Sequence, residues 1–304
     1  MLHGSSIDGF KLAYQREGSG AAVVLLHGWP GDHCDWREVI PLLRGRADVV
    51  APDLRGFGES DKAPADPVEA YSVVAQTASA VALIEELALE RPVIAGYDVG
   101  SRVAQEIARV APHTVAALVV APPVPGVGDR VLSARAQREF WYQAFHQLPI
   151  VDEIIDGKPA AVRAYLEHFW SHWSGPAYQP SEAELDRLTA LYGEPGAFAA
   201  SIGWYRAGSG TVATSLAERP PAPADRIAVP TTILWPERDP LFPPEWSDRV
   251  DQFFSDATVR TLPRVGHFSP LEEPQAWAEA IAAALAASGR QSPGPGEASS
   301  PRPG

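Results

Sequence analysis

The sequence predicts an α/β fold: a mostly parallel sheet flanked by helices, interrupted by one inserted all-helical segment. Three observations predict it. Short continuous apolar runs alternate with helical spacing as far as Val120. A span of about a hundred residues with no strand pattern follows. Strand-like runs then resume from Thr231.

In chain order, Ile7 to Glu17 alternates loosely and is expected as an edge strand or hairpin. Val23-Val24-Leu25-Leu26, bounded by Gly20 and His27-Gly28, has the continuous apolar pattern of a strand buried on both faces. Helical spacing appears around Trp36, Val39, Ile40, Leu42 and Leu43, before a strand at Val49–Asp53 and a turn at Leu54–Ser60. A long helix fits Tyr71 to Leu89. The next strand begins at Val93; after it Val103, Ala104, Ile107, Ala108 and Val110 mark a helix, and Ala117–Val120 a further strand.

Past Ala121, Pro122, Pro123, Pro125, Gly126 and Gly128 form a linker into helical stretches rich in Trp, Tyr and Phe. Ser181 with Glu184 opens one of these helices as a capping box. Arg219-Pro220-Pro221-Ala222-Pro223 closes the segment. Strands are expected at Thr231–Trp235 and Thr258–Leu262, and helices near Pro244–Phe254 and from Pro274 to Ala287. From Ser288 the chain lacks apolar anchors, a composition of disorder. The expected organisation is a core at 1–123 and 229–288, a helical cap at 124–228 and a disordered tail at 289–304, without internal repeats.

Among 304 residues, 45% are hydrophobic and 21% charged, the profile of an ordinary globular protein. The net charge of -13 argues against nucleic acid and anionic membranes as partners. One cysteine, Cys34, excludes an internal disulfide and a cysteine-based zinc cluster. There is neither a signal-peptide pattern nor an apolar window of membrane-spanning length, so a cytoplasmic protein is expected.

The chemistry concentrates at Gly96-Tyr97-Asp98-Val99-Gly100. Glycines on both sides of a central residue relieve the crowding of a strand-to-helix turn and leave that residue exposed at the helix N-terminus. A serine there attacks acyl carbons, whereas a carboxylate attacks an alkyl carbon and forms an ester. The alternative for Asp98 is a plain helix N-cap. An attacking carboxylate needs a base to bring in water, and the base needs an orienting acid. His267 in Val265-Gly266-His267-Phe268 and Asp239 in Glu237-Arg238-Asp239-Pro240 both follow expected strands, at the sheet edge where ligands bind. The loop His27-Gly28-Trp29-Pro30-Gly31 can supply an oxyanion donor from the Trp29 amide, with the Val99 amide as the second.

These motifs resemble the α/β-hydrolase superfamily and, within it, the epoxide hydrolases. The resemblance rests on His-Gly-Trp-Pro-Gly at 27–31, Asp-Leu-Arg-Gly-Phe-Gly-Glu-Ser at 53–60, the aspartate elbow and Gly-His-Phe at 266–268. It implies the α/β-hydrolase fold with a helical cap (lid). It also implies two cap tyrosines that protonate the epoxide oxygen: Tyr142 in Trp141-Tyr142-Gln143-Ala144-Phe145-His146-Gln147, and Tyr205 in Trp204-Tyr205-Arg206-Ala207. Trp29, Val99, Trp141, Tyr142, Tyr205 and Phe268 are the expected substrate-binding residues. The implied substrate is a small epoxide, apolar or aromatic given the Trp- and Tyr-rich cap, opened to a vicinal diol by a monomer or homodimer without metal or organic cofactor. Val99 departs from the aromatic residue that many relatives place after the nucleophile, and from the tryptophan usual in haloalkane dehalogenases. Fluoroacetate dehalogenases typically have His-Trp where this chain has Tyr142-Gln143, and an arginine after the nucleophile. A dehalogenase is therefore the second reading, a non-catalytic binding protein of the same fold the third, and ester or lactone hydrolysis is weakened by the missing serine. His33, His113, His168 and His172 show no ligand spacing and are expected to be structural; His146 and Gln147 are left unassigned.

Overall fold

Apolar runs that bury both faces make the centre of the sheet: Val23, Val24, Leu25 and Leu26 are all buried, as are Val93, Ile94 and Ala95. The computed structural model describes residues 1–291. Its eight strands are β1 (Leu2–His3), β2 (Ala13–Gly18), β3 (Ala21–Leu26), β4 (Ala47–Pro52), β5 (Val93–Gly96), β6 (Ala117–Val120), β7 (Thr231–Pro236) and β8 (Ala257–Leu262). They lie in the order β1-β2-β4-β3-β5-β6-β7-β8. β2 runs antiparallel to β1 and β4, and every other pairing is parallel. Val24 of β3 sits between Val50 of β4 and Ile94 of β5, so the longest apolar runs are the innermost strands.

Seven helices matter below: α1 (Val73–Glu86), α2 (Asp98–Val110), α3 (Trp141–Phe145), α4 (Pro159–Trp173), α5 (Glu182–Tyr192), α6 (Gly203–Arg206) and α7 (Pro274–Gln291). Between β6 and β7 the described chain holds helices and no strand. One continuous apolar cluster joins this segment to the sheet. Polar contacts join them too: Arg37 donates to Glu184 of α5 at 3.2 Å, and Arg187 pairs with Asp32. The capping box at α5 is only half formed. The Ser181 hydroxyl accepts from the Glu184 amide at 3.2 Å, but the Glu184 side chain turns to Arg37 and Arg187.

Several elements differ from expectation for local reasons. Ile7 and Phe10 only bridge across the tight Asp8-Gly9 turn, so the strand starts later, at Ala13. The helix expected over Tyr71–Leu89 is two helices, because Ser72 is extended and caps α1 through the Ala75 amide at 3.3 Å. The stretch around Trp36–Leu43 is a 3-10 turn at His33–Trp36 and a single turn at Ile40–Leu43. Pro244–Phe254 likewise divides into a 3-10 turn, Pro244–Arg249, and a short helix, Val250–Phe253. α7 continues to Gln291, where its Ser288 hydroxyl donates to the Ala284 and Leu285 carbonyls. The first residues of the expected tail are thus helical, and the remainder from 292 on lies outside the described residues.

The turn from β5 into α2 fixes the site. Asp98 takes φ +48°, a left-handed value that is uncommon for a residue with a side chain. The backbone comes so close on either side that only glycine fits. A Cβ on Gly96 would lie 2.6 Å from the Gly100 carbonyl carbon, and one on Gly100 would collide with the Leu26 carbonyl of β3. Because that neighbour is rigid sheet backbone, Gly100→Ala is expected to destabilise the fold by about 3 kcal/mol or more. Thermal unfolding of the variant checks this; an unchanged midpoint would show that the turn has slack.

Candidate active site

Three strand ends deliver three side chains to one point. Asp98 leaves the β5–α2 turn with its carboxylate against the loop that follows β3: the Trp29 amide donates to its Oδ1 at 2.7 Å. Its Oδ2 lies 3.4 Å from His267 Nε2. His267 Nδ1 in turn lies 2.9 Å from Oδ2 of Asp239, on the loop after β7. The other Asp239 oxygen accepts from the Leu241 amide at 2.8 Å, which fixes the carboxylate's orientation. All three side chains are buried.

The His267 loop is held from beneath by Glu272, a residue the motifs did not single out. Its carboxylate accepts from the Gly266 amide at 2.6 Å and the Phe268 amide at 3.2 Å, on both sides of the histidine. It also accepts from Gly175 at 2.9 Å, while the His267 amide donates to Trp173 O at 2.8 Å. Burial pushes Glu272 up, partly offset by these amides.

Burial disfavours charge on the His267 ring, but Asp239 and Asp98 on its two sides outweigh burial and raise the ring to about 10. At neutral pH it is an imidazolium held between two carboxylates. Its Nδ1–H donates to Asp239.

Above Asp98 opens a cavity between the sheet edge and the helical segment. Asp98 and Val99 line its floor, and Tyr142 of α3 and Tyr205 of α6 face them from the helical segment. The two tyrosine rings meet edge to face, with centroids 5.5 Å apart. Burial and the nearby Asp98 charge raise Tyr142 well above the ordinary phenol range; burial, Tyr142 and Asp98 do the same for Tyr205. Both hydroxyls therefore stay protonated and can donate. The Trp29 ring stacks on Tyr142, centroids 6.0 Å apart and planes nearly parallel. His146 packs 4.7 Å from Tyr205, with its Nε2 2.9 Å from the Tyr165 hydroxyl. Burial, reinforced by Arg206, drives His146 well below the usual imidazole range, so it is neutral.

Three expected substrate-binding residues, Trp29, Trp141 and Phe268, are not among those lining the cavity. Trp141 precedes Tyr142 on α3, and a helical step of about 100° turns it outward. It is 40% exposed and packs on Phe145 and Phe169. Phe268 is fully buried and stacks on Trp170 at 3.8 Å, bracing the histidine loop from behind. Trp29 reaches the site through its amide, while its ring is buried beneath Tyr142. The lining includes five polar residues the motifs did not select: Arg102, Gln143, Thr214, Ser215 and Glu218. Arg102 was within reach of a periodicity argument, since it lies one helical turn beyond Asp98. Glu218 carried no signal.

His33 pairs with Asp53 at 2.8 Å and His172 with Glu139 at 2.7 Å. Asp32, His33 and Cys34 bring ligating atoms within 4.8 Å of one another, but Asp32 is engaged by Arg187 and the Cys34 amide, and His33 by Asp53. No helix among the described residues is long and apolar enough to cross a membrane.

Comparison with known proteins agrees with this architecture. The family model of the alpha/beta hydrolase fold matches residues 21–274. The soluble epoxide hydrolase of Corynebacterium sp. (strain C12) is 27% identical over 281 residues, 90% of this chain and 93% of that one. The fluoroacetate dehalogenase of Burkholderia sp. is 31% identical over 199 residues, 64% of each chain. Among solved structures, a novel epoxide hydrolase from metagenomes of hot environments shares 25% identity at a TM-score of 0.78, covering 93% of this chain and 97% of its own. In sheet order, in the turn at Asp98 and in a family match spanning most of its length, this chain belongs to the α/β-hydrolase fold family.

Proposed function

We propose that the protein is an epoxide hydrolase that opens its substrate to a vicinal diol through a covalent ester on Asp98. One observation carries the reading: a single cavity has a carboxylate on its floor, backed by a His–Asp pair, and two protonated tyrosines opposite. An epoxide is strained, but its alkoxide is a poor leaving group, so carbon must be attacked while the oxygen receives a proton. Asp98 attacks a ring carbon, the C–O bond breaks, and Tyr142 or Tyr205 gives its proton to the departing oxygen.

The ester has lost the Asp98 charge, one of the two that hold the proton on His267. The imidazolium therefore becomes more acidic when a base is needed. Return of a proton to the tyrosinate balances the proton His267 gives up. Neutral His267 Nε2 then deprotonates a water that attacks the ester carbonyl. The Trp29 and Val99 amides are the donors for the resulting oxyanion. Collapse releases the diol, and Asp239 stabilises the restored imidazolium. The first diol formed carries an oxygen from Asp98, and water replaces it there.

A dehalogenase would use the same carboxylate, and the relative that is 31% identical favours that reading. Against it, Arg102, the cation among the described cavity residues, is paired with Glu218 at 3.3 Å and not free for a substrate carboxylate.

Enzyme in excess over styrene oxide, in water enriched in heavy oxygen, tests the proposal. Unlabelled diol from the first turnover, with label in the peptide containing Asp98, is the expected result. Labelled diol would mean direct attack by water and overturn the ester. Halide release from fluoroacetate without diol from the epoxide would make the protein a dehalogenase, and silence on both would favour a binding protein.

A further inference from the structure

One helix of the segment touches both the acid and the base of the proposed reaction. α4 ends at Trp173, whose ring packs edge to face on His267, centroids 4.9 Å apart, and on Tyr142 at 5.1 Å. The chain there is also bonded to the histidine loop: the His267 amide donates to the Trp173 carbonyl at 2.8 Å, and Trp170 stacks on Phe268. Glu272 closes this junction. Its Oε2 accepts from Gly266 at 2.6 Å and, across the junction, from Gly175 at 2.9 Å; its Oε1 accepts from Phe268 at 3.2 Å. The two backbones touch where they are joined. A Cβ on Gly175 would lie 2.6 Å from Glu272 Oε2 and would collide with the Arg264 carbonyl; one on Gly266 would collide with the Gly175 nitrogen. Neither Glu272 nor Gly175 lines the cavity.

We propose that Glu272 is a positioning residue for the base, and that through Gly175 it lets the seating of the helical segment set where His267 Nε2 points. The inference rests on the epoxide hydrolase reading, in which ring opening and ester hydrolysis are separate steps. The two steps use different anchors. Asp98 is held for ring opening by the Trp29 amide at 2.7 Å, a bond that Glu272 does not touch. The His267 ring is tied at Nδ1 to Asp239, and the backbone on both sides of it is tied to Glu272. One ring bond leaves the backbone beneath it free to shift, so the amide bonds complete the aim of Nε2. Attack by a base depends steeply on that aim: a misplacement of about 1 Å can cost about a hundredfold. Loosening the junction therefore slows ester hydrolysis and spares ring opening.

Glu272→Gln and Gly175→Ala disturb the junction from its two sides. Glutamine has one acceptor oxygen where the carboxylate has two, so an amide on one side of His267 loses its partner. With styrene oxide and the full chain, rapid quench and intact-protein mass spectrometry give two first-order constants: the rise of the ester, and its decay once substrate is removed. Neither depends on how much of the enzyme is folded. In both variants the decay is expected to slow about tenfold or more, with the rise within about twofold of wild type. Arg130→Gln breaks a different contact of the helical segment, the Arg130–Asp248 pair at 2.7 Å, and is expected to leave both constants unchanged. Rise and decay slowed alike, or an unchanged decay in either variant, overturns the role of Glu272 and leaves the ester reading standing. A decay slowed as much in Arg130→Gln also overturns it, since any loosening of the segment would then suffice. Absence of an ester even in His267→Gln overturns the covalent reading, and this inference with it.

Discussion

Replacing Asp98 with Asn is expected to lower epoxide turnover by roughly 10⁴-fold or more, the scale on which loss of a nucleophile acts when its partners remain. The fold should survive, because an asparagine oxygen can still accept from the Trp29 amide, the 2.7 Å bond that anchors the side chain. A neutral amide is a poor nucleophile toward an alkyl carbon, so the residual rate reports what the tyrosines achieve alone. The same variant carries a second readout. Asp98 is one of two carboxylates that raise His267 to about 10 against the cost of burial, so neutralising it should lower the ring's titration midpoint. Turnover of styrene oxide and an NMR titration of the imidazole together separate the roles. Activity within tenfold of wild type would remove Asp98 as the nucleophile. An unmoved His267 midpoint would show that Asp98 does not act on the ring.

How much of this was legible beforehand depended on whether the determinant was local. The turn at Asp98 was readable because its glycines answer to contacts that any such turn must make: Gly96 against Gly100, and Gly100 against the β3 carbonyl. Asp239 and His267 were readable as residues just after strands, since a parallel sheet gathers those loops at one edge. The apolar runs identified the inner strands for the same reason: burial on both faces leaves no polar alternation to misread.

What failed depended on directions that sequence adjacency hides. Trp141 and Phe268 sit beside Tyr142 and His267 in the chain, yet a one-residue step sends each to the opposite side, one to the surface and one behind the loop. Neighbourhood in a motif was mistaken for neighbourhood in space. The cavity's polar residues were missed for a complementary reason. Arg102 and Glu218 are 116 residues apart and meet only because the helical segment returns over α2. Glu272 holds the histidine loop through backbone amides, which leave no trace in side-chain patterning. The break at Ser72 shows the same limit at small scale: apolar periodicity continues through it, and only the capping bond to Ala75 reveals a second helix.

Replacing His267 with Gln should separate the two halves of the reaction. Ring opening needs Asp98 and the tyrosines, whereas ester hydrolysis needs a base at Nε2. Glutamine cannot take a proton from water, so the ester should accumulate. One equivalent of epoxide would then be consumed per site in a burst, with steady turnover reduced by about 10³- to 10⁴-fold. Intact-protein mass spectrometry reads the trapped adduct directly, as the enzyme plus one substrate, and peptide mapping places it at Asp98. Loss of turnover with neither burst nor adduct would contradict a covalent first step. Stability should follow pH in a definite direction. The ring's value in the fold, about 10, lies above its ordinary value near ~6.5, so the charged ring stabilises the fold fully below about pH 6.5. That contribution fades as pH rises through about 10. The wild type's advantage over His267→Gln in thermal unfolding should therefore be widest in mild acid and narrow toward pH 10, the reverse of what an uncharged histidine held only by packing would give.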